Sequence, residues 1–304
     1  MRVFITGSSG HVGSAVVAEL VSAGHEVVGL ARSDASAAKV EALGAEARRG
    51  DLDDLEGLRE AASAADGVIH LAFKHEAMMS GDYETAIKDD LTVVRVLGEA
   101  LAGTGKPLVT TSGTAMLAGA GLGRAITEED TLESGPRIES ENTVIGFAER
   151  GVRSSIVRLP PTVHGPLDRH GFVKMLVETA RAKGISGYVG DGANRWPAVQ
   201  TTDAARLYRL AWESAPAGSR LHAVDDEGVP LRRIAEVIGR RLGVPVAPIA
   251  DEAAPAHFGF LAPIVAADNP TSSARTRKLL DWAPELPRLL ADLELDHYFA
   301  VAAV

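Results

Sequence analysis

Two short stretches have residue types and spacing suited to a phosphorylated ligand. Thr6-Gly7-Ser8-Ser9-Gly10-His11-Val12-Gly13 sets three glycines three residues apart, between an apolar run and an amphipathic segment. Glycines so placed permit a tight turn, close backbone approach to a pyrophosphate and close packing of helix on strand. A helix opening at His11 offers unpaired N–H groups and the positive end of its dipole to phosphate oxygens. The pattern predicts a dinucleotide site touched by Gly7, Ser9, Gly10, His11, Val12 and Gly13. At the end of the next apolar run, Ala31 occupies the place of the acid that accepts ribose hydroxyls in NAD sites; Arg32 and Ser33 follow. A guanidinium beside a hydroxyl suits a 2′-phosphate, so NADP(H) is the expected cofactor. Asp34 comes next, and another loop path would aim it at the ribose, which keeps NAD open.

These residues need a scaffold to position them. Strands are predicted at Arg2–Thr6, Glu26–Leu30, Ala45–Arg49, Gly67–Leu71, Pro107–Thr111 and Ser154–Leu159. Helical patterns lie between them at His11–Ala23, Ala35–Leu43, Leu55–Ala64, Asp90–Leu101 and Ile138–Arg150. Short strands alternating with helices of this length imply right-handed crossovers and a parallel sheet. The expected fold is α/β, a Rossmann-type doubly wound parallel sheet. After Pro160-Pro161 the rhythm changes: helices at Phe172–Lys183, Asp203–Glu213 and Leu231–Leu242 surround a turn-rich stretch at Gly184–Pro197 and a strand at Leu221–Val224. The expected division is a dinucleotide-binding domain over 1–165, to which 198–225 returns. A smaller, interleaved C-terminal substrate-binding cap then occupies 166–304.

Composition narrows the chemistry. The 304 residues include no cysteine, which removes disulfides, thiolate zinc sites and cysteine nucleophiles. With 31 basic residues against 41 acidic ones, the net charge of −10 argues against sequence-independent nucleic-acid binding. No apolar run approaches a membrane span and the opening strand is too brief for a signal peptide, so a cytoplasmic protein is expected. Histidines and carboxylates show no metal-ligand spacing, and no metal is expected. The expected partner is a small-molecule substrate, and helices flanking the sheet leave room for a homodimer. Tyrosine occurs only four times, as Tyr83, Tyr188, Tyr208 and Tyr298.

Taken together, these motifs resemble the short-chain dehydrogenase/reductase superfamily in its extended or atypical branches. The Thr-Gly-x-x-Gly-x-x-Gly turn has that spacing, and Gly50-Asp51-Leu52 looks like the superfamily's adenine-contacting element. Ile69-His70-Leu71-Ala72 is similar to its fourth-strand motif, and Arg158-Leu159-Pro160-Pro161-Thr162-Val163-His164-Gly165-Pro166 to the sixth-strand motif passing the nicotinamide. The resemblance implies cofactor contacts from Asp51, Leu52, Leu71, Ala72, Phe73, Thr111, Pro160, Thr162 and Val163. It also implies a catalytic tyrosine with a lysine four residues on, the lysine lowering the tyrosine's pKa from its usual value of about 10. The spacing of Glu141 and Arg158 puts Glu133 in the tyrosine slot and Arg137 in the lysine slot, and no tyrosine lies between Tyr83 and Tyr188. The serine slot falls on Gly113, with Ser112 or Thr114 as substitutes.

Arg137, always charged, is expected to bind the nicotinamide ribose or stabilise an oxyanion. Tyr188 and His164 are the candidate proton donors, Tyr188 alternatively being an aromatic lid on substrate or cofactor; Arg195 and Trp196 are the candidate substrate grip, and His170 is a weaker candidate for a substrate loop. The expected function is an NADP(H)-dependent oxidoreductase reducing a carbonyl with a non-standard proton donor. Two alternatives stand beside it: a nucleotide-sugar-type epimerase or dehydratase, and a non-catalytic NADP-binding regulator.

Overall fold

The computed structural model describes residues 1–74 and 82–300. The strands are β1 (Arg2–Thr6), β2 (Glu26–Ala31), β3 (Glu46–Arg49), β4 (Gly67–His70), β5 (Pro107–Gly113), β6 (Arg153–Leu159), β7 (Thr162–His164), β8 (Ser186–Val189), β9 (Arg195–Gln200), β10 (Ser219–His222), β11 (Asp226–Pro230) and β12 (Val246–Ile249). The longer helices are α1 (His11–Ser22), α2 (Asp34–Ala42), α3 (Leu55–Ala64), α4 (Tyr83–Leu101), α5 (Ile138–Gly146), α6 (Phe172–Lys183), α7 (Thr201–Ser214) and α8 (Leu231–Leu242).

Among the described residues, seven strands form one parallel sheet in the order β3-β2-β1-β4-β5-β6-β10. Val3, Phe4 and Ile5 of β1 are all buried, as a central strand covered on both faces requires. The doubly wound fold is therefore as the strand–helix alternation implied. Chain order reverses between β1 and β4, the place where open α/β sheets bind ligands beyond the carboxyl ends of their strands. The turn after β1 and the ends of β4 and β5 meet there.

Outside the main sheet, β7 and β11 flank β9, and β8 pairs with β12 in a separate parallel ribbon. A second core beneath them gathers Val173, Leu176, Tyr188, Trp196, Ile234 and Tyr298. α4 begins seven residues earlier than the pattern suggested, because Asp82 accepts the N–H of Thr85 at 3.3 Å and caps the helix. Its length was masked by Asp90, a carboxylate on the buried stripe otherwise made by Ala86, Val93, Val94 and Leu97.

Polar pairs tie the strands internally as well. Arg158 of β6 is fully buried; its Nε and Nη2 donate to Glu141 of α5, which Arg220 of β10 also reaches at 2.9 Å. The pair joins the two residues whose spacing located the family's catalytic slots.

Candidate cofactor and active site

The turn after β1 is built around places where a side chain cannot go. Gly7 has φ +73°, and a Cβ on it would lie 2.7 Å from the Ala72 nitrogen. A Cβ on Gly13 would lie 1.9 Å from the Gly7 carbonyl oxygen, so α1 packs directly on the turn. Ser8 donates to the Leu30 carbonyl at 3.0 Å and fastens the turn to β2. Gly10 caps α1 without a side-chain hydrogen bond, and no acidic residue stands in the first turn. The uncapped N–H groups and the space reserved by glycine fit a dinucleotide pyrophosphate. Ser9 and Val12 are half-buried beside it, and His11 Nε2 meets Thr201 Oγ1 at 2.8 Å.

At the end of β2, Ala31 is buried, whereas Arg32, Ser33 and Asp34 are exposed. Ser33 caps α2, accepting the Ser36 N–H at 3.2 Å, while the Ser36 hydroxyl accepts the Ser33 N–H at 3.0 Å. Arg49, which sequence reasoning missed, reaches Asp34 Oδ1 at 3.4 Å and donates to the Arg32 carbonyl at 3.4 Å. Asp51 shapes the following turn, accepting the N–H groups of Asp53 at 2.9 Å and Asp54 at 3.2 Å. Leu52 packs against the core below.

A buried polar chain joins the glycine turn to the catalytic slots. Thr6 Oγ1 accepts the Ala72 N–H at 3.3 Å and meets His70 Nδ1 at 2.6 Å. His70 Nε2 faces Asp90 Oδ1 at 3.6 Å, and Arg137 Nη2 donates to the same oxygen at 3.2 Å and to the Thr111 carbonyl at 2.8 Å. The Arg137 guanidinium lies 4.4 Å from the Phe73 ring centre. Burial pushes the Asp90 carboxyl up, but His70 and Arg137 outweigh it and hold it below the usual carboxylate range. The pair is thus an anion with a permanent cation, and Arg137 donates hydrogen bonds without exchanging protons. Arg137 itself has φ +60° at the start of α5, a left-handed conformation uncommon for arginine.

The hydroxyls at the end of β5 fall into separate roles. Thr111 donates to the His70 carbonyl at 3.0 Å, so the Tyr208 hydroxyl at 2.8 Å is the donor in their contact. Burial pushes Tyr208 up, away from any acid–base role near neutral pH. Thr114 is fully buried and accepts the Asn269 amide at 2.9 Å. Ser112 is buried too, but its hydroxyl has no hydrogen-bond partner. The same holds for Thr162 Oγ1; Pro160 is buried and Val163 packs on the main core. Glu133 is exposed.

The segment after β5 is stitched to the late part of the chain. Ile126 exchanges backbone hydrogen bonds with Pro270 and Ser272, each at 2.8 Å, and buried Glu128 accepts both the N–H and the hydroxyl of Thr276.

Several expected functional side chains are engaged elsewhere. The turn-rich stretch read as a loop reaching the cleft instead forms β8, and its pairing with β12 buries Tyr188 in the C-terminal core. Its ring lies 5.7 Å from the Arg232 guanidinium, which corrects its placement as a proton donor. Trp196 is 1% exposed and donates Nε1–H to the Ile264 carbonyl at 3.0 Å; it is a core residue, not a substrate platform. Arg195 forks onto Asp268 at 3.0 and 2.8 Å, so its cationic fork is already filled. His164 is also buried, with Nδ1 2.9 Å from Asp292, and its carbonyl accepts the Thr201 hydroxyl. A ring held by a buried carboxylate and closed from solvent positions β7, which corrects its proton-donor role. His170 is exposed. The missed residue Asp90 had one available signal, a carboxylate on the apolar stripe of a helix.

Among the described residues, no group of three histidines and carboxylates is arranged to hold a metal, and no helix is long and apolar enough to cross a membrane.

A sequence model of the NAD dependent epimerase/dehydratase family matches residues 3–223. An uncharacterised protein of Schizosaccharomyces pombe is 49% identical over 300 residues, spanning 98% of this chain and 100% of that one. A 2-alkyl-3-oxoalkanoate reductase of Stenotrophomonas maltophilia is 29% identical over 258 residues, 81% of this chain and 77% of the relative. In three dimensions, the UDP-glucuronic acid 4-epimerase of Bacillus cereus, solved with UDP-glucuronic acid and NAD, superposes with a TM-score of 0.76 at 18% identity over 98% of both chains, a likeness of fold. The chain belongs to the NAD dependent epimerase/dehydratase family, within the extended short-chain dehydrogenase/reductase superfamily.

Proposed function

We propose that the protein is an NADP(H)-dependent reductase acting on the carbonyl of a small or medium organic molecule. One observation carries the reading: a glycine turn shaped for a pyrophosphate is joined to a basic β2 end, where Ala31 replaces the ribose-binding acid, Arg32 follows, and Asp34 leans toward Arg49. The likeness to the Stenotrophomonas reductase supports a ketone substrate.

When bound, NADPH would supply the hydride that reduces the carbonyl carbon. The chain's own residues bind and orient. N–H groups at the start of α1 hold the pyrophosphate, and Arg137, fixed by Asp90 and the Thr111 carbonyl, donates to the nicotinamide ribose or to the substrate oxygen. Between the two hydroxyls of the serine slot, Ser112 is favoured to orient that oxygen, because it is the unpartnered one. With no tyrosine in the slot, the proton completing the alcohol is drawn from solvent water.

A non-catalytic NADP-binding role is the second reading, favoured by the neutralisation of Arg137 by Asp90. The family's epimerisation chemistry is disfavoured by the absent tyrosine base. The test is to incubate the protein with NADPH and a panel of ketones, aldehydes and activated alkenes, following the absorbance of the reduced nicotinamide. Consumption with a ketone or aldehyde supports the reductase, whereas tight NADPH binding without turnover across the panel supports the second reading. An unchanged NADPH-over-NADH preference in Arg32→Ala would remove the assigned role of Arg32.

A further inference from the structure

We propose that Arg49 is a second 2′-phosphate-selecting residue and that Asp34 is its resting counter-ion, which the phosphate displaces. The inference rests on the NADP(H) reading above. Ala31 and Arg49 are register partners in the parallel pairing of β2 with β3, so Arg49 ends its strand beside the last residue of β2. That is the same carboxyl edge of the sheet from which the glycine turn leaves β1. Successive strand residues point to opposite faces. Arg48 accordingly turns away to Glu60 of α3 at 3.1 Å, and Arg49 turns to the Arg32–Asp34 loop.

Both Arg49 contacts are long, at 3.4 Å, and the pair is open to solvent on both sides. An exposed ion pair of this geometry contributes little. A phosphate dianion brings more charge and more acceptor oxygens than one carboxylate, and a guanidinium binds it with directed, charge-assisted hydrogen bonds. Arg49 therefore exchanges Asp34 for the phosphate at small expense. The same contact explains why an acid three residues late does not specify NAD: Asp34 is drawn toward β3. The hydrogen bond from Arg49 to the Arg32 carbonyl also steadies the loop bearing Arg32.

The test measures dissociation constants of adenosine 2′,5′-bisphosphate and 5′-AMP by calorimetry on the intact protein. Arg49→Ala is expected to weaken the bisphosphate about tenfold and leave 5′-AMP within about twofold, the scale of one charge-assisted hydrogen bond. Asp34→Asn is expected to tighten the bisphosphate about threefold, by removing a competing anion. Arg49→Lys keeps part of the preference. Equal losses for the two ligands, or no loss, in Arg49→Ala overturn the inference. If Arg32→Ala abolishes the preference while Arg49→Ala retains it, the inference falls and the NADP(H) reading stands. Equal binding of the two ligands by the unaltered protein overturns both.

Discussion

Replacing His222 with glutamine should flatten part of the protein's acid sensitivity, and the structure sets the size. Arg158 Nη1 donates to His222 Nε2 at 3.2 Å, while His222 Nδ1 faces the Ser272 carbonyl at 2.7 Å. A carbonyl only accepts, so Nδ1 carries the hydrogen and the ring is neutral. Burial pushes the ring down to about 4, against the opposing pull of Glu128. In the unfolded chain it titrates near its ordinary value of about 6.5. Between those values the unfolded chain holds a proton that the folded chain does not. Stability therefore falls as pH drops through that window and is independent of this group on either side. The loss is about 2 kcal/mol by pH ~5 and approaches about 3 kcal/mol by pH ~4. For a chain of this size, 2 kcal/mol is roughly 3 °C in Tm. Denaturant unfolding at neutral pH and at pH ~5, on the wild type and His222→Gln, isolates the term because the remaining carboxylates are common to both proteins. The wild type should lose about 2 kcal/mol more than the variant. Equal losses would refute a neutral imidazole between Arg158 and Ser272.

Further substitutions test the site and its limits. Gly13→Ala places a Cβ 1.9 Å from the Gly7 oxygen, so NADPH affinity should fall at least about tenfold by fluorescence titration; retained affinity would deny that the turn holds the cofactor. Arg137→Met leaves Asp90 buried without its permanent cation, a loss of about 3–5 kcal/mol in unfolding free energy. Adding Asp90→Asn should recover most of that loss, and a double variant no more stable than the single one would dissolve the pairing. Tyr188→Phe should keep any NADPH-dependent turnover within about twofold, since the ring belongs to the C-terminal core; a hundredfold loss would restore it as an acid.

What was legible in the residues followed local physics. Apolar runs with glycine punctuation marked β1, β2 and β4 to β6, and the three glycines marked the pyrophosphate turn, because both depend on neighbours in sequence. Ser33 is expected as a phosphate contact; in the structure its hydroxyl caps α2, a use visible in its spacing to Ser36. Tyr188 and Trp196 misled because their fate depends on β12 and on the segment near Ile264, distant partners that no local pattern announces. Arg195 misled for the same reason through Asp268. Arg49 was invisible because its position beside Arg32 is a product of strand register.

The stitching of Ile126 to Pro270 and Ser272, of Thr114 to Asn269 and of Glu128 to Thr276 sets an order in time. Domains fold broadly from the amino end as synthesis proceeds. The glycine turn and the strands beside it are complete long before residues 269–276 leave the ribosome. While the segment after β5 still lacks these anchors, a nucleotide bound at the glycine turn would stabilise the nascent half by mass action. Anchoring of the segment after β5 therefore comes late in biogenesis, once residues 269–276 have emerged.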